Sequence, residues 1–336
     1  MKMAIIGAGG WGSALAYSYA QAGYKVTIWA HSLEVVEEIN KEHTNKTYLP
    51  GITFPKTVKA TDSFAFLKEE ELVLLMSPAQ YMRSVVKDLQ SYLLPQAVLV
   101  HGAKGIEMKT LARISEVIEE ETKGRHPVLV LSGPTHAEEV AKSLPTACVL
   151  AGKDQNLVKE VQEKLILPSF RIYASDDITG VEIGGSLKNV IAIATGIADG
   201  LGYGDNARGA LITRGLAEMA RLGVRMGANP LTFAGLSGMG DLIATCTSPH
   251  SRNRQAGIML SQGKTLRDIT SSSKMVVEGA FTAESAYRLG QKYAVELPIV
   301  KEVLLVLQGE KSPQEIAPLL MTRDPQEELN YLLPKK

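Results

Sequence analysis

The sequence predicts an α/β fold, a doubly wound sheet followed by an all-helical domain, on three observations. Short aliphatic runs alternate with amphipathic stretches through the first half, the pattern of βαβ units and a parallel sheet. A glycine-rich run, Gly7-Ala-Gly9-Gly10-Trp11-Gly12, stands directly after the first aliphatic run. From about Thr179 the texture changes to long segments bearing alanine, leucine and glycine, with no convincing strand.

The expected strands are Met3 to Ile6, Lys25 to Trp29, Leu72 to Met76, Val98 to His101, Val128 to Leu131 and Ala147 to Leu150. Several end in Gly, Ser or Pro, where ligand loops would lie. A helical stretch is expected over Ser13 to Ala22. Leu297-Pro298 and Ser312-Pro313 read as helix starts, because proline's fixed φ suits the first turn. Ser-rich Thr270 to Ser273 reads as an exposed loop and Glu327 to Lys336 as a fraying tail. The chain, 336 residues long, has room for two domains, placed here at 1–178 and 179–336, and two domains imply a cleft between them.

Charge narrows the partners. With 36 basic and 36 acidic residues the formal net charge is zero, which argues against nucleic acid or an anionic membrane and for a small molecule. The two cysteines, Cys148 and Cys246, are far apart and lack neighbours at metal-ligand spacing, so neither a disulfide framework nor a metal site is expected. The amino terminus passes from a short apolar run straight into the glycine loop, unlike a signal peptide. Ile183 to Ala198 falls short of the ~20 apolar residues that a membrane span needs. A soluble, cytoplasmic protein with no integral membrane segment is the expectation.

The glycine run gains meaning from its setting, with a strand before it and a helix after. In a Rossmann-type unit Gly7 permits the tight turn, Gly9 lets a pyrophosphate approach, and Gly12 lets helix pack on strand, with Gly10 and Trp11 between them at the anion-facing helix start. A dinucleotide, NAD or NADP, is the cofactor expected. The second strand ends in Ala30-His31-Ser32, where an acidic residue typically selects NAD. No carboxylate there repels a 2′-phosphate, and His31 with Ser32 could donate to one, so NADPH is expected to be accepted; the alternative is that His31 is an ordinary surface residue.

Lys188 is the single formal charge in the segment Ile183 to Ala198. An ammonium among apolar neighbours is desolvated, paired or turned into a wet cleft. It reads as chemical machinery, and Asn189 beside it can both donate and accept. The competing reading is a lysine that lays its stem along apolar surface and keeps its charge in water.

Several blocks then follow in order: Asn45-Lys-Thr-Tyr-Leu-Pro50, Lys104-Gly-Ile-Glu107, Leu131-Ser-Gly-Pro-Thr-His-Ala-Glu-Glu139, Lys188-Asn189, Gly238-Met-Gly-Asp241, Ser251-Arg-Asn253 and Val277-Glu-Gly279. With the glycine loop, they make the chain resemble the NAD(P)-dependent glycerol-3-phosphate dehydrogenases of bacterial type, from the loop to the Glu278 region. The resemblance implies reversible hydride transfer between a nicotinamide ring and C2 of a triose phosphate, interconverting dihydroxyacetone phosphate and sn-glycerol 3-phosphate, with a product that feeds glycerophospholipid synthesis.

By the same resemblance Lys188 is the catalytic acid and base, its pKa lowered by burial, and Asp241 orients it with Asn189 and Thr245. Asp241, in a Gly-Met-Gly-Asp-Leu context, is expected in a tight glycine turn, with a simple helix cap as the alternative. Arg252 and Asn253 match the residues that hold the substrate phosphate, Ser251 assists, and Arg252 also approaches the cofactor. Lys104 matches a lysine that contacts substrate and lies on the cofactor side. Gly133 and Thr135 match the substrate loop, while Ala137, Val276 and Glu278 match positions around the cofactor. Thr135 stands where the family often has serine, and His136, where it has phenylalanine, receives no role. Two alternatives stay open: a two-domain dehydrogenase of 3-hydroxyacids or ketoacids, and a non-catalytic NAD(P) sensor. A homodimer is expected on general symmetry grounds.

Overall fold

The aliphatic runs of the first half assemble side by side into one sheet. Its strands are β1 (Lys2–Ile6), β2 (Lys25–Trp29), β3 (Val58–Thr61), β4 (Leu72–Leu75), β5 (Val98–His101), β6 (Val128–Ser132), β7 (Thr146–Ala151) and β8 (Phe170–Ser175). They lie in the order β3-β2-β1-β4-β5-β6-β7-β8. A computed structural model supplies the coordinates and describes residues 2–271 and 276–316. The chain divides into two compact units, Met1–Ala103 with Ile114–Ile178, and Lys104–Arg113 with Thr179–Lys336.

Every neighbouring strand pair in the first unit is parallel except β6–β7. The sequence order reverses beside β1, which pairs β2 on one side and β4 on the other, opening a crevice at the strand carboxyl ends. Ile6 pairs with both Trp29 and Leu75, so Gly7, Ala30 and Met76 follow their strands at one edge. Alternate residues of the central strands face opposite layers: Ile5 and Leu74 pack with Leu15, Val140 and Val158, while Ile6 and Leu75 pack with Met82, Val86 and Ile118. Helices supply those layers: α1 (Gly10–Gln21), α2 (Leu33–Glu42), α3 (Met82–Leu89), α4 (Ile114–Glu121), α5 (Ala137–Ala141) and α6 (Gln155–Leu165).

Two strands lie outside the sequence expectation, and both are edges. β3 is four residues, Val-Lys-Ala-Thr, too short and polar for periodicity to register; β8, Phe-Arg-Ile-Tyr-Ala-Ser, buries only alternate residues. The expected helix start at Ser13 moves to Gly10, which puts Gly12 inside the first turn.

The second unit is helical: α7 (Ile178–Gly200), α8 (Gly204–Arg225), α9 (Asp241–Thr247), α10 (Arg252–Ser261), α11 (Leu266–Ser271), α12 (Glu278–Lys292) and α13 (Pro298–Leu307). No strand occurs after residue 178 among the described residues. Thr270 and Ser271 close α11 instead of forming a loop, since both hydroxyls bond back to carbonyls of their own helix. Ser272 and Ser273 of that run, and the tail Glu327 to Lys336, lie outside the described residues.

α7 corrects the estimate of its own length. The apolar segment belongs to a 23-residue helix, long enough by composition to cross a membrane, yet its apolar window is wholly buried inside the protein. Ile183, Leu187, Val190, Ile191, Ile193 and Ile197 all enter the core of the second unit, as expected of a helix apolar on every side. α10 crosses α7 with backbones in contact: a Cβ on Gly196 would lie 2.0 Å from the Arg254 carbonyl oxygen, and one on Gly257 would lie 2.2 Å from that of Ile193. Both cysteines are buried and neither forms a disulfide.

α13 starts on Pro298, as the sequence predicts, and its first amides are met from another helix. The buried Glu218 carboxylate of α8 accepts from the backbone N–H of Ile299 at 2.7 Å and of Val300 at 3.2 Å, satisfying donors that a helix start leaves without partners. Glu218→Ala removes both acceptors in a dry site. It is expected to cost about 2–4 kcal/mol of unfolding free energy, read from the urea midpoint.

Candidate active site

In the first unit the site is made of backbone. The chain leaves β1 through Gly7 at φ +112°, a conformation that favours glycine, and Gly9 then stands as the N-cap of α1 in extended conformation without a side-chain cap. The first amides of α1 are thereby available to an anion. A Cβ on Gly12 would lie 1.9 Å from the Gly7 carbonyl oxygen, whereas one on Gly9 would meet nothing within 4 Å. Gly12 thus packs helix on strand and Gly9 borders open space, the arrangement a pyrophosphate requires.

Neighbouring residues complete the loop. Ala137, first residue of α5, has its Cβ 3.7 Å from where one on Gly10 would stand. The buried Trp11 indole nitrogen has no hydrogen-bond partner among the described residues, a donor consistent with a ligand at the loop. His31 is exposed after β2, its ring centroid 6.3 Å from that of Trp29. Gly133, at φ +151°, is packed so that a Cβ would lie 2.8 Å from Cys148 Cα, and the Thr135 hydroxyl donates to the Gly133 carbonyl at 3.0 Å.

Asn45 is a residue to which sequence reasoning gave no role. Fully buried, its amide donates to the Ala8 carbonyl and to Ser13 Oγ, both at 2.9 Å, and so holds the glycine loop in shape. The block Asn45 to Pro50 marked its place by resemblance, but no periodic signal there indicated a role.

In the second unit the site is made of side chains. Lys188 projects from α7 and is only 5% exposed, so the reading in which its charge reaches open water does not hold. Its Nζ donates to Asp241 Oδ1 and, at 2.8 Å, to Thr245 Oγ1. Lys104 Nζ donates to the other oxygen, Asp241 Oδ2, at 2.8 Å. Asp241 is buried and places one carboxylate between two ammoniums. Burial pulls the Lys188 ammonium down to about 7, Asp241 opposes that shift, and the Lys104 charge adds to it.

Asp241 reaches this position by a route that the glycine-turn and helix-cap readings both miss. Leu236–Gly240 forms a short π-helical segment that runs into α9, and Asp241 at φ −70° and ψ −33° is the first helical residue. One turn later the Thr245 hydroxyl donates to the Asp241 carbonyl at 2.6 Å, which leaves its oxygen to accept from Lys188.

Asn189 turns from Lys188 to a second network. Its Nδ2 donates to the Lys104 carbonyl at 3.2 Å, its Oδ1 accepts from Asn253 Nδ2 at 2.9 Å, and Asn253 Oδ1 accepts from the Gly279 N–H at 3.0 Å. Four segments are tied by two buried amides. Ser251 caps α10 by accepting from the Arg254 N–H at 3.2 Å. Of the two nearby arginines, Arg254 is bound to Asp199 at 2.7 Å, while Arg252 is exposed and reaches the Val276 carbonyl at 3.5 Å. Arg252 is therefore the guanidinium better placed to take a phosphate. Glu278 opens α12 half-buried, its carbonyl accepting from Thr282. Among the described residues no group of three or more His, Cys, Asp or Glu could hold a metal.

A glycine loop at a sheet crevice and a desolvated lysine held by a carboxylate belong to the nicotinamide-dependent dehydrogenases. The family models for the NAD-dependent glycerol-3-phosphate dehydrogenase N-terminus and C-terminus match residues 2–158 and 177–318, and the chain belongs to that family. It is 48% identical over 329 residues to the glycerol-3-phosphate dehydrogenase, NAD(P)+, of Fusobacterium nucleatum, covering 96% of this chain and 97% of that one. The enzyme of the same name from Bacillus subtilis is 45% identical over 335 residues, 99% of this chain and 97% of its own. The crystal structure of glycerol-3-phosphate dehydrogenase from Coxiella burnetii matches with a TM-score of 0.92 at 39% identity, covering 96% of this chain and 99% of that chain.

Gly12→Ala forces a methyl group against the Gly7 carbonyl and opens the loop. It is expected to weaken NADH binding by at least about tenfold, roughly 1.4 kcal/mol, measured by quenching of protein fluorescence.

Proposed function

We propose that the protein catalyses the reversible NAD(P)-dependent interconversion of dihydroxyacetone phosphate and sn-glycerol 3-phosphate. One observation carries the chemistry: a buried ammonium with a pKa near 7, held by a carboxylate and a hydroxyl. Asp241 and Thr245 take two of its three N–H groups, and the third remains for a substrate carbonyl oxygen. The matching relatives supply the substrate class.

The bound nicotinamide supplies hydride to C2 in reduction and accepts it in oxidation. As hydride reaches carbon, negative charge gathers on the carbonyl oxygen, where the Lys188 ammonium stabilises it and delivers a proton. In the oxidation direction the neutral amine takes the hydroxyl proton. Asp241 fixes the nitrogen in both states, and Lys104, on the same carboxylate, keeps a second positive charge at the site. Arg252, with Asn253, Ser251, Gly133 and Thr135, is assigned to the substrate and its phosphate, where a planar guanidinium suits bidentate binding. The glycine loop residues, Trp11, His31, Ala137, Val276 and Glu278 are assigned to the cofactor, which Lys104 and Arg252 also approach.

A homodimer working in the cytoplasm completes the proposal, the dimer supported by the commonness of two-fold oligomers. A product destined for glycerophospholipid synthesis follows from the family resemblance.

Loss of NADH absorbance on adding dihydroxyacetone phosphate tests the activity directly. Lys188→Ala is expected to lower kcat at least about 1000-fold while NADH binding persists. In the wild type, kcat/KM for reduction should fall above a pH of about 7, as the ammonium is lost, and kcat/KM for oxidation should rise across the same interval. A flat profile in both directions would exclude Lys188 as the titrating group.

No carboxylate follows β2 at Ala30-His31-Ser32, and the Ser32 side chain makes no cap hydrogen bond at the start of α2. NADPH is therefore expected to be used at least as efficiently as NADH. His31→Asp should depress kcat/KM for NADPH by about tenfold or more relative to NADH, by charge repulsion at the 2′-phosphate.

A further inference from the structure

Lys104 rides on a ten-residue strap, Lys104–Arg113, that leaves the sheet unit and belongs to the helical one. The strap is held along its length. Ile106 is buried in the helical core, the Ile106 carbonyl accepts from Ser285 Oγ at 3.3 Å, and the Met108 carbonyl accepts from Arg288 at 2.8 Å. The strap turns on itself through Glu107 N–H to the Ala112 carbonyl at 3.0 Å, bringing its far end back beside Ile106. At that end Arg113 Nη1 meets Glu182 Oε2 at 2.6 Å, both side chains largely buried.

Glu182 lies on α7, six residues before Lys188. The same helix therefore carries the catalytic ammonium and the carboxylate that anchors the strap bearing the second ammonium. We infer that Arg113 and Glu182 are positioning residues: their ion pair fixes the strap so that Lys104 stays on Asp241 beside Lys188. This inference rests on the proposed dehydrogenase chemistry, because its readout is turnover of dihydroxyacetone phosphate.

A charged pair sheltered from solvent keeps its geometry better than an exposed one, and losing one partner strands the other. Asn189 of α7 holds the strap's backbone at the Lys104 carbonyl, and the Arg113–Glu182 pair holds its far end on the same helix. Without Arg113 the strap keeps one tie to α7 where it had two, and the Lys104 side chain loses its fixed place at Asp241. Two groups of α9, the Asp241 carboxylate and the Thr245 hydroxyl, bond the Lys188 ammonium, and Lys104 from the strap bonds the other oxygen of that carboxylate. The Cys246 thiol of α9 lies close enough to feel the ammonium's charge. Lys104 opposes the charge on Lys188, so its departure raises the pH at which Lys188 titrates.

A double-mutant cycle tests the coupling, using kcat/KM for dihydroxyacetone phosphate at saturating NADH. Arg113→Ala is expected to lower kcat/KM by about tenfold or more, and Arg113→Ala added to Lys104→Ala should change it less than about threefold further. The pH inflection should move upward in Arg113→Ala and not move further in the double variant, while Arg113→Lys recovers most of the activity. Arg113→Gln, which fills the same space but removes the charge that pairs with Glu182, is measured in parallel and should show the same direction of loss, so that a folded variant completes the cycle if Arg113→Ala does not fold. Losses that multiply, or an inflection that stays near 7 in the single variant, overturn the inference. Absence of turnover in the wild-type enzyme would instead overturn the proposed function.

Discussion

The site rests on one carboxylate that serves two ammoniums. A lone lysine inside an apolar helix would be too costly to keep charged, and a lysine pressed against a single carboxylate would hold its proton too firmly to exchange it near neutrality. Asp241 offers Oδ1 to Lys188 and Oδ2 to Lys104, so attraction and repulsion act on the same nitrogen. Desolvation then places the Lys188 pKa within reach of both directions of a carbonyl–alcohol exchange. Much of the helical unit serves this one geometry. α7 carries the lysine, the π-helical segment before α9 sets the carboxylate, and two asparagines bind the surrounding segments together.

The two units solve recognition by different means. In the sheet unit, the proposed anion site is backbone: amides at the start of α1, a turn only glycine accepts, and open space above Gly9. Such a site is neutral, which suits a chain with no net charge. In the helical unit, the work falls to charged and amide side chains whose neighbours hold them still. Arg254 illustrates how selection is made between similar groups: Asp199 occupies it, and Arg252 two residues earlier keeps its guanidinium exposed.

The central strands were legible because each is a short aliphatic run buried on both faces, and that signal depends little on neighbours. β3 and β8 were not, since an edge strand buries half its residues and resembles an ordinary polar loop. The glycine loop was legible from its setting, and Lys188 from its isolation among apolar residues. The geometry at Asp241 was not. A Gly-x-Gly-Asp run is equally compatible with a turn, a cap or a π-helical lead-in, and contacts with α7 and the strap decide among them. The roles of Asn45, Arg113 and Glu182 were hidden for a related reason, although Asn45 opens one of the blocks that carry the resemblance. Their partners lie 37 residues away from Asn45, at Ala8, and 69 apart within the Arg113–Glu182 pair, so no local pattern announces them.

The strap also bears on how the chain can be divided. Because residues 104–113 sit within the sequence of the sheet unit yet bury Ile106 in the helical core, the backbone passes between the two units three times. A gene fragment stopping at residue 178 would carry Ile106 without the hydrophobic surroundings that cover it, and the complementary fragment would lack Lys104 altogether. Swapping either half for that of a related enzyme therefore requires exchanging the ten-residue insert along with the helical half.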